Sequence, residues 1–249
     1  MLGLSMIFRI KRGAKSDKTT AVGGGEKFTR DQYKSAWNSV SASEDDAKFA
    51  VSGYIDEQTY ESTAMGTREM LLQTVGIGAD DVVLEIGAGV GRVGAALAPL
   101  CKEWIGVDVS ANMVKHIKNR LARFSNVRAI ESNGYDLSEI PDQSVDVVYS
   151  TVVFMHLDEW DRYSYVKEGL RILRPSGRML VDNVDLTSDA GWKFFEDHRK
   201  ITPSERPARI SKTSTPDELR TYFTRAGYQN IELRQWDLWL VMWGRKPVA

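Results

Sequence analysis

The stretch Val82-Val83-Leu84-Glu85-Ile86-Gly87-Ala88-Gly89-Val90-Gly91-Arg92 decides the fold. Its apolar first half predicts a short buried strand, and three alternating glycines follow directly. Glycines after a strand permit a tight turn and let a ligand come close to the backbone, while a helix predicted from Arg92 offers the N–H groups of its first turn. The stretch therefore predicts a strand, a ligand-binding turn and a helix, in that order.

Beyond Thr67, helical patterns alternate with short apolar runs, as is typical of a parallel sheet covered by helices on both faces. Strands are predicted at residues 81–86, 103–108, 127–132, 146–153, 178–183, 229–235 and 238–245. The last two are joined by almost no linker, whereas a parallel pair needs a crossover of about a dozen residues or more. They must therefore form a hairpin, which adds an antiparallel strand to an otherwise parallel sheet.

The predicted domain organisation has three parts and an insertion. Residues 1–25 are basic and end in glycines, so a flexible N-terminus is predicted. Residues 26–64 show short helical patterns, which predict a helical cap. The main domain is predicted over residues 65–249, and residues 184–214 interrupt its alternation with mixed aromatic and charged side chains, which indicates an insertion.

Composition excludes several function classes. The 249-residue chain has a formal net charge of -1 with both signs interspersed, so no global field attracts nucleic acid or an anionic membrane. The single cysteine, Cys101, excludes an internal disulfide, and no CxxC or Cys/His cluster indicates zinc. Residues 1–18 place apolar residues before basic ones, the reverse of a secretory signal. We expect a cytoplasmic monomer or homodimer without a metal, a membrane partner or a nucleic-acid partner.

The quoted stretch resembles the first motif of class I, Rossmann-like, S-adenosylmethionine (SAM)-dependent methyltransferases of the small-molecule type. The resemblance extends over residues 68–245 as an order of elements. It implies a seven-stranded, mostly parallel sheet with an antiparallel last strand, helices on both faces, SAM as cofactor and S-adenosyl-L-homocysteine as product. A dinucleotide-binding fingerprint has its third glycine three positions after the second, where this chain has Arg92, so the dehydrogenase alternative fails.

Three polar side chains are candidates for direct contact with the cofactor. Asp108 ends the second strand, where a carboxylate can accept from ribose hydroxyls, and the alternative is a helix N-terminal acid. In the family, the position of Glu85 orders the turn and contacts the methionine amino group, and the alternative is that it caps nearby N–H groups. Asn133 stands where the family often has an acid that contacts the adenine amino group, and the alternative is a turn-forming Asn-Gly pair.

The resemblance implies a larger cofactor-binding set. It consists of Glu85, Gly87, Ala88, Gly89, Gly91, Arg92, Asp108, Val109, Met113, Asn133, Gly134, Ser150 and Thr151.

Residues 146–157 resemble the family's fourth-strand motif, which ends in an apolar residue, histidine and leucine. Ligands bind outside the carboxyl ends of strands in open α/β sheets, so residues 150–156 are expected to border the donor methyl group. His156 is the candidate general base for an acceptor hydroxyl. The alternative is that His156 orients its loop, because positioning the reactants alone supplies much of the acceleration of methyl transfer.

Four further residues are candidates for contact with the acceptor. Asp182 and Asn183 end the fifth strand, with ordinary strand-end turn roles as the alternative. Tyr54 belongs to the predicted cap, which is expected to close over the donor, and Trp192 lies in the insertion. Six basic residues of the insertion predict either a pocket for an aromatic or anionic acceptor or a charge-rich surface lid. The hairpin tryptophans are predicted to lie in the core: Trp236, Trp239 and Trp243.

Three function classes remain open at this point. The leading one is SAM-dependent methylation of an oxygen or nitrogen of a small molecule. The Pro-Pro-Tyr type segment used on amide or exocyclic amino nitrogens is replaced by Ser150-Thr151-Val152-Val153, and Cys101 lies far from the expected site of a cytosine C5 nucleophile. No recognised RNA-binding module accompanies the fold. The alternatives are a methyltransferase that acts on RNA or protein and a SAM-binding module without catalysis.

Overall fold

The computed structural model describes residues 30–53 and 56–248. The predicted flexible stretch 1–25 and the candidate residue Tyr54 lie outside the described residues. The helices are α1 (Arg30–Ser39), α2 (Glu44–Ser52), α3 (Glu57–Thr74), α4 (Arg92–Leu97), α5 (Ala111–Arg120), α6 (Glu159–Ile172), α7 (Asp189–Arg199) and α8 (Pro216–Ala226). The strands are β1 (Val82–Ile86), β2 (Glu103–Asp108), β3 (Val127–Glu131), β4 (Val145–Ser150), β5 (Leu173–Asp185), β6 (Thr213–Ser214), β7 (Gln229–Trp236) and β8 (Trp239–Arg245).

These strands form one mostly parallel sheet in the order β3-β2-β1-β4-β5-β8-β7. β8 runs antiparallel to both β5 and β7, and the other pairs are parallel. The predicted α/β fold and its closing hairpin are therefore confirmed. The two-residue β6 pairs with β5 off this path and makes the sheet eight-stranded, because the insertion returns to the sheet before α8 begins.

The strand order reverses between β1 and β4, and this reversal positions the site. From β1 the chain proceeds outward through β2 to β3, and then it returns to place β4 on the other side of β1. The crossovers therefore leave in opposite directions at the carboxyl ends of β1 and β4, which opens a crevice there. Every residue of β1 is buried, as expected for a central parallel strand.

The packing of α4 on the sheet depends on two glycines. A Cβ atom placed on Gly94 would lie 2.5 Å from the ring of Trp104, and one placed on Gly106 would lie 2.4 Å from it. Trp104 is fully buried on β2. The absence of side chains at these glycines leaves room for the indole between α4 and β2.

Two predicted strand boundaries differ from the structure by more than two residues. β4 ends at Ser150 instead of residue 153, because Val152 adopts a positive φ of 62° that no extended strand has. α6 passes directly into β5, which begins at Leu173 instead of the predicted residue 178, and Ser176 in this extension has a positive φ of 66°. Propensity alone does not reveal that the strand extends through a Pro-Ser-Gly segment, where pairing with β4 is interrupted until Arg178.

Helices α1 and α2 lie against the carboxyl edge of the sheet. The hydroxyls of Ser41 and Ser110 are 2.9 Å apart, and Ser110 donates to Asn38 Oδ1 at 2.8 Å. Ser110 is also the N-cap of α5, directly after β2. Lys48 of α2 pairs with Glu57 of α3 at 2.6 Å. These contacts hold the first two helices over the crevice. Among the described helices, none is both long and apolar enough to cross a lipid bilayer.

Candidate functional site

Three cavities meet at the carboxyl ends of the central strands, and Val51, Thr151 and Val152 line all of them. The first, here called the deep cleft, has an empty volume of about 710 Å³ and includes Asp108, Ser132 and Gly134. The other two are the inner pocket of about 310 Å³, lined by Tyr60, Glu85, Gly87, Ala88, Gly89, Arg92 and Val93, and the outer groove, lined by Met70, Arg92, Met155, His156, Asp182, Arg209, Trp236, Trp239 and Val241. One junction therefore connects three chemically different spaces.

The glycine turn has the conformation that its sequence predicts. Gly87, Gly89 and Gly91 have φ values of 71°, 55° and 79°, which L side chains rarely adopt. The N–H groups of Gly87 and Ala88 both donate to the carbonyl of Val107, at 2.8 and 3.0 Å. A Cβ atom on Gly87 would lie 2.3 Å from Val153 Cγ2. Glycine is therefore required at residue 87 for its backbone and for its close contact.

Asp108 lies where β2 ends and lines the deep cleft. Its two carboxylate oxygens accept the N–H groups of Gly89 and Ser110, each at 2.9 Å. Burial raises the pKa of Asp108 to about 6, against the lowering effect of these N–H donors. The structure thus gives Asp108 the helix-start role named as its alternative and also leaves the carboxylate on the wall of the cleft.

Glu85 lies on β1 between the sheet and the inner pocket. It is 4% exposed and accepts a 2.5 Å hydrogen bond from the hydroxyl of Tyr149, which itself accepts from the Trp104 indole N–H at 3.1 Å. Burial raises the pKa of Glu85 to about 8, although Tyr149 and the charge of Arg92 lower it. A tyrosine hydroxyl, rather than the expected N–H groups of the turn, therefore orients this carboxyl.

Tyr60 on α3 was not identified from the sequence, yet it closes the inner pocket. It is fully buried, and its hydroxyl has no hydrogen-bond partner among the described residues. The guanidinium of Arg92 lies 5.6 Å from the centre of its ring and donates to Thr63 at 2.8 Å. A buried hydroxyl without a partner costs about 1–3 kcal/mol, so the pocket has an unsatisfied donor that a ligand can use.

The turn after β4 is strained, and a hydrogen bond to Asp182 of β5 stabilises it. Val152 has a φ of 62°, an unfavourable conformation for a β-branched residue, and its N–H donates to Asp182 Oδ1 at 2.6 Å. Asp182 is 6% exposed, and burial raises its pKa to about 7. This bond fixes Thr151 and Val152 at the junction of the three cavities. Asp182 therefore lies on the floor of the outer groove beside the junction.

His156 lies between the deep cleft and the outer groove and lines both. Its Nδ1 is 2.8 Å from the carbonyl oxygen of Arg209, and because a carbonyl only accepts, Nδ1 must be the protonated nitrogen. The ring of Trp37 packs edge-on at 5.0 Å. Burial lowers the pKa of His156 to about 4, with further lowering by the charges of Arg209 and Lys212. Its Nε2 is therefore unprotonated at neutral pH.

Several candidate residues are not brought to the junction. Asn133 Oδ1 accepts the N–H groups of Tyr135 and Asp136, both at 3.0 Å, so the turn alternative describes its role here. Asn183 is fully buried and donates to Ser214 at 2.7 Å, which fastens β6. Trp192 is 54% exposed on α7 and packs on Phe195. These residues fall outside the lining of the three cavities.

The remaining candidates lie at or just below the cavities. Gly134, Val109 and Met113 line the deep cleft, and Ala88 and Arg92 line the inner pocket. Ser150 is fully buried beneath the junction and donates to the carbonyl of Ile86 at 3.2 Å, so it joins β4 to β1. Gly91 is the N-cap of α4, and a Cβ atom there would meet Leu121 at 3.1 Å.

Two hairpin tryptophans that were predicted to be core residues line the outer groove instead. Trp236 is 40% exposed and Trp239 is half-buried, while Trp243 is 9% exposed in the core as expected. Trp236 and Trp239 face each other across the turn of the hairpin, where Asp237 has a φ of 51°. Their position at the tip, beyond the last core strand residues, is the sequence signal that distinguishes them from Trp243.

Comparison with known proteins finds similarity to methyltransferases over part of the chain. Residues 84–181 match the sequence model described as "Methyltransferase domain". A Mycobacterium tuberculosis protein named a probable S-adenosylmethionine-dependent methyltransferase is 37% identical over 99 residues, which are 40% of this chain and 34% of that protein. This chain thus spans about a third of that relative's length. A Bacillus subtilis protein named an uncharacterized methyltransferase is 28% identical over 191 residues, 74% of this chain and 71% of that protein.

Solved structures show the same fold. A chain of the structure described as "Complex between the Haloferax volcanii Trm112 methyltransferase activator and the putative methyltransferase" superposes with a TM-score of 0.61 at 18% identity, over 81% of this chain and 97% of that one. At that identity the likeness concerns the fold. The matched residues 84–181 begin within β1 and end within β5, so they contain the glycine turn, Asp108 and the turn after β4.

Proposed function

We propose, from the premise that this chain contains a class I SAM-dependent methyltransferase domain, that it transfers the methyl group of SAM to an oxygen or nitrogen of a small molecule. The observation that carries the proposal is the junction at Val51, Thr151 and Val152, where the three cavities meet. SAM has a nucleoside, an amino acid part and a methyl group on one sulfur. The deep cleft matches the nucleoside, the inner pocket matches the amino acid part, and the methyl group would face the outer groove.

The inner pocket fits the amino acid part. The carboxylate of Glu85 can accept hydrogen bonds from an ammonium group, while Arg92 and the unpaired Tyr60 hydroxyl can donate to a carboxylate. An ammonium group beside Glu85 favours the charged form of a carboxyl whose pKa burial has raised to about 8. Binding would thus supply partners for an orphaned hydroxyl and a desolvated acid together.

The deep cleft fits the nucleoside. Each carboxylate oxygen of Asp108 accepts one backbone N–H and has a further lone pair, so both can accept from ribose hydroxyls without losing the turn bonds. The apolar side chains of Val109, Met113 and Leu157 line the same cleft and suit a flat base. Asn133 is left out of this proposal because its amide oxygen is already used by its own turn.

The outer groove is where the acceptor would bind. When bound, SAM supplies a methyl group on a positively charged sulfur, and an acceptor atom attacks that carbon in line as the neutral thioether departs. Thr151 and Val152 lie at the boundary between the pockets for SAM and the groove, held there by the hydrogen bond to Asp182. The protein's main contribution is therefore to hold two reactants on one line at the junction.

His156 would receive the proton of an acceptor hydroxyl at Nε2. Its Nδ1–H is fixed by the Arg209 carbonyl, so the lone pair of Nε2 has a defined direction. A pKa of about 4 makes the imidazole a weak base, but it keeps Nε2 free of a proton across the neutral range. Asp182, whose pKa is raised to about 7, is the second group in the groove able to take this proton.

The test uses the purified 249-residue chain. Calorimetric titration with SAM and with S-adenosyl-L-homocysteine should show binding of both. Methyl-labelled SAM is then incubated with protein and cell extract, and the extract is separated by ultrafiltration into small molecules and macromolecules. We expect label in the small-molecule filtrate. Label only in retained RNA or protein would assign a macromolecular acceptor, and binding without transfer to any fraction would leave a SAM-binding module.

A further inference from the structure

Of the six lysines and arginines of the insertion, four form ion pairs with carboxylates. Lys193 and Lys200 pair with Asp197 at 2.7 and 2.8 Å, and Arg199 pairs with Glu196 at 2.9 Å. Lys212 pairs with Asp158. Most of the positive charge of the insertion is therefore compensated by carboxylates at the surface.

Two arginines of the insertion differ from this pattern. Arg206 donates to the carbonyl of Ile201 at 3.1 Å on the exposed surface. The guanidinium of Arg209 makes no hydrogen bond or ion pair with any described residue, and this side chain is half-buried in the lining of the outer groove. Its charge lowers the pKa of His156, which places it near that ring. A half-buried guanidinium without an anion is poorly solvated, so it favours a ligand with negative charge.

The other charges of the groove favour the same ligand. Of the described residues that line the groove, Asp182 is the one carboxylate, while Arg92 and Arg209 are both cationic. Asp182 already accepts the Val152 N–H and is 6% exposed. Arg92 is engaged with Thr63 and the Tyr60 ring near the inner pocket. Arg209 is thus the cation left for the acceptor.

The walls of the groove add an apolar requirement. Trp236 and Trp239 lie across from each other at the hairpin tip, and Met70, Met155 and Val241 extend the same surface. A ligand that contacts these side chains must have an apolar body, and indole rings favour flat ones. Charge and shape together describe one chemical class.

We propose that the methyl acceptor is a small organic anion with a flat apolar body, whose carboxylate or phosphate binds the guanidinium of Arg209. The body lies against Trp236 and Trp239, and the hydroxyl or amino group to be methylated faces the junction near His156. This inference rests on the proposed function, because it describes the acceptor of that reaction. An Arg–oxyanion pair is commonly bidentate, so it orients the acceptor as well as binding it.

The first test measures binding without catalysis. Wild-type protein saturated with S-adenosyl-L-homocysteine is heated with benzoate or phenyl phosphate, and benzylamine serves as the cationic probe. We expect both anions to raise the unfolding midpoint and benzylamine to leave it unchanged. Arg209→Met should abolish the shift, Arg209→Lys should retain part of it, and Arg206→Met is the matched control on the same segment. A shift that persists in Arg209→Met, or one caused by benzylamine instead, overturns the proposal.

The second test follows the reaction. The small-molecule filtrate of an extract is divided on an anion-exchange resin, and each fraction is offered as acceptor with labelled SAM. We expect methylation only in the retained fraction, with KM raised about 10-fold or more in Arg209→Met, in line with a charged hydrogen bond of about 1.5–3 kcal/mol, and an unchanged SAM affinity. Prior phosphatase treatment distinguishes the sources, since it removes a phosphate-bearing acceptor and spares a carboxylate.

The outcomes separate the two proposals. Methylation confined to the unretained fraction would overturn the anionic acceptor and leave the methyltransferase function standing. An unchanged KM in Arg209→Met would remove Arg209 as the anchor. If no fraction is methylated although SAM binds, the proposed function fails, and the anionic acceptor fails with it.

Discussion

The inner pocket and the outer groove are built from opposite kinds of sequence information. The turn wall of the inner pocket comes from one continuous stretch, residues 85–93, whose glycines and buried acid are fixed by local backbone needs. The outer groove is assembled from side chains of α3, the turn after β4, β5, the insertion and the hairpin tip. A continuous stretch can be read from sequence because its geometry is local, whereas a groove of distant segments depends on topology.

Gly87→Ala should have the largest effect on stability and on SAM affinity. It tests whether the glycine turn beside the inner pocket requires glycine at residue 87. The added methyl would lie 2.3 Å from Val153 Cγ2, and the alanine backbone would have to adopt a φ of 71°. We therefore expect the free energy of unfolding to fall by about 2–4 kcal/mol and SAM affinity to fall below detection. Thermal unfolding and calorimetric titration measure these effects.

Two further variants make the Gly87 result specific. Gly78→Ala is the control, because its Cβ atom would meet only Asp81 at 3.8 Å and its φ is not positive. The double variant Gly87→Ala/Val153→Ala should recover part of the stability, since it removes the clash but not the backbone strain. If Gly87→Ala binds SAM normally, the glycine turn is not the cofactor seat.

Tyr60→Phe should separate binding from stability within the inner pocket. Removing an unpaired buried hydroxyl should leave the apoprotein as stable or stabilise it by about 1 kcal/mol, while SAM affinity falls about 5- to 10-fold. Tyr228→Phe is the matched control, because its buried hydroxyl donates to the Val166 carbonyl at 3.2 Å, away from the pocket. Its loss should cost stability without changing SAM affinity. Unchanged SAM affinity in Tyr60→Phe would exclude Tyr60 from the cofactor site.

The contrast between the regions explains which site residues the sequence could identify. Gly87 and Asp108 follow from a glycine spacing and a strand end, and Glu85 follows from the resemblance to the family motif. All three line the cavities. Tyr60 reaches the inner pocket only because α3 packs beside α4, a tertiary contact with no local motif. Trp192, a candidate for contact with the acceptor, is 54% exposed on α7, and an aromatic residue in an insertion has no hydrophobic period from which its exposure could be predicted.

The fold was more predictable than its boundaries. The strand predicted to begin at residue 178 begins at Leu173, because Leu173 already pairs with Val145 of β4; after an irregularity the pairing resumes at Arg178 and continues to Val181. The strand predicted through residue 153 stops at Ser150, because the hydrogen bond from Val152 to Asp182 stabilises a positive φ. In both places a contact made by a distant segment outweighs local propensity.

Stability should fall between pH 6.5 and pH 8 in the apoprotein. The pKa of Glu85 is raised to about 8 and that of Asp182 to about 7, so the folded state holds protons that the unfolded state releases at lower pH. Their contribution is complete below the unfolded pKa near 4 and is lost as pH rises through the folded pKa values. His156, with its pKa lowered to about 4, acts only below about pH 6.5 and has the opposite sign.

Chemical denaturation of the apoprotein at pH 6.5 and pH 8 measures this slope. Glu85→Gln should flatten it most, because a permanently neutral amide has no proton to lose. Asp182→Asn should flatten the lower part of the window. Stability that rises from pH 6.5 to pH 8 in the wild type would mean that these carboxyls are ionised in the folded state. It would contradict the raised pKa of Glu85 in the inner pocket.

The pH dependence of kcat should be the smallest effect. It distinguishes His156 from Asp182 as the group that accepts the proton of the acceptor. If His156 is the base, kcat stays level from pH 8 down to about pH 5, because the imidazole remains unprotonated above its pKa of about 4. If Asp182 is the base, kcat declines below about pH 7, where that carboxyl gains a proton. A level profile that disappears in His156→Ala and persists in Asp182→Asn would assign the step to the histidine. A decline that only Asp182→Asn removes would assign the proton transfer to Asp182. The role of His156 would then be to orient Arg209, because the His156 Nδ1–H binds the Arg209 carbonyl.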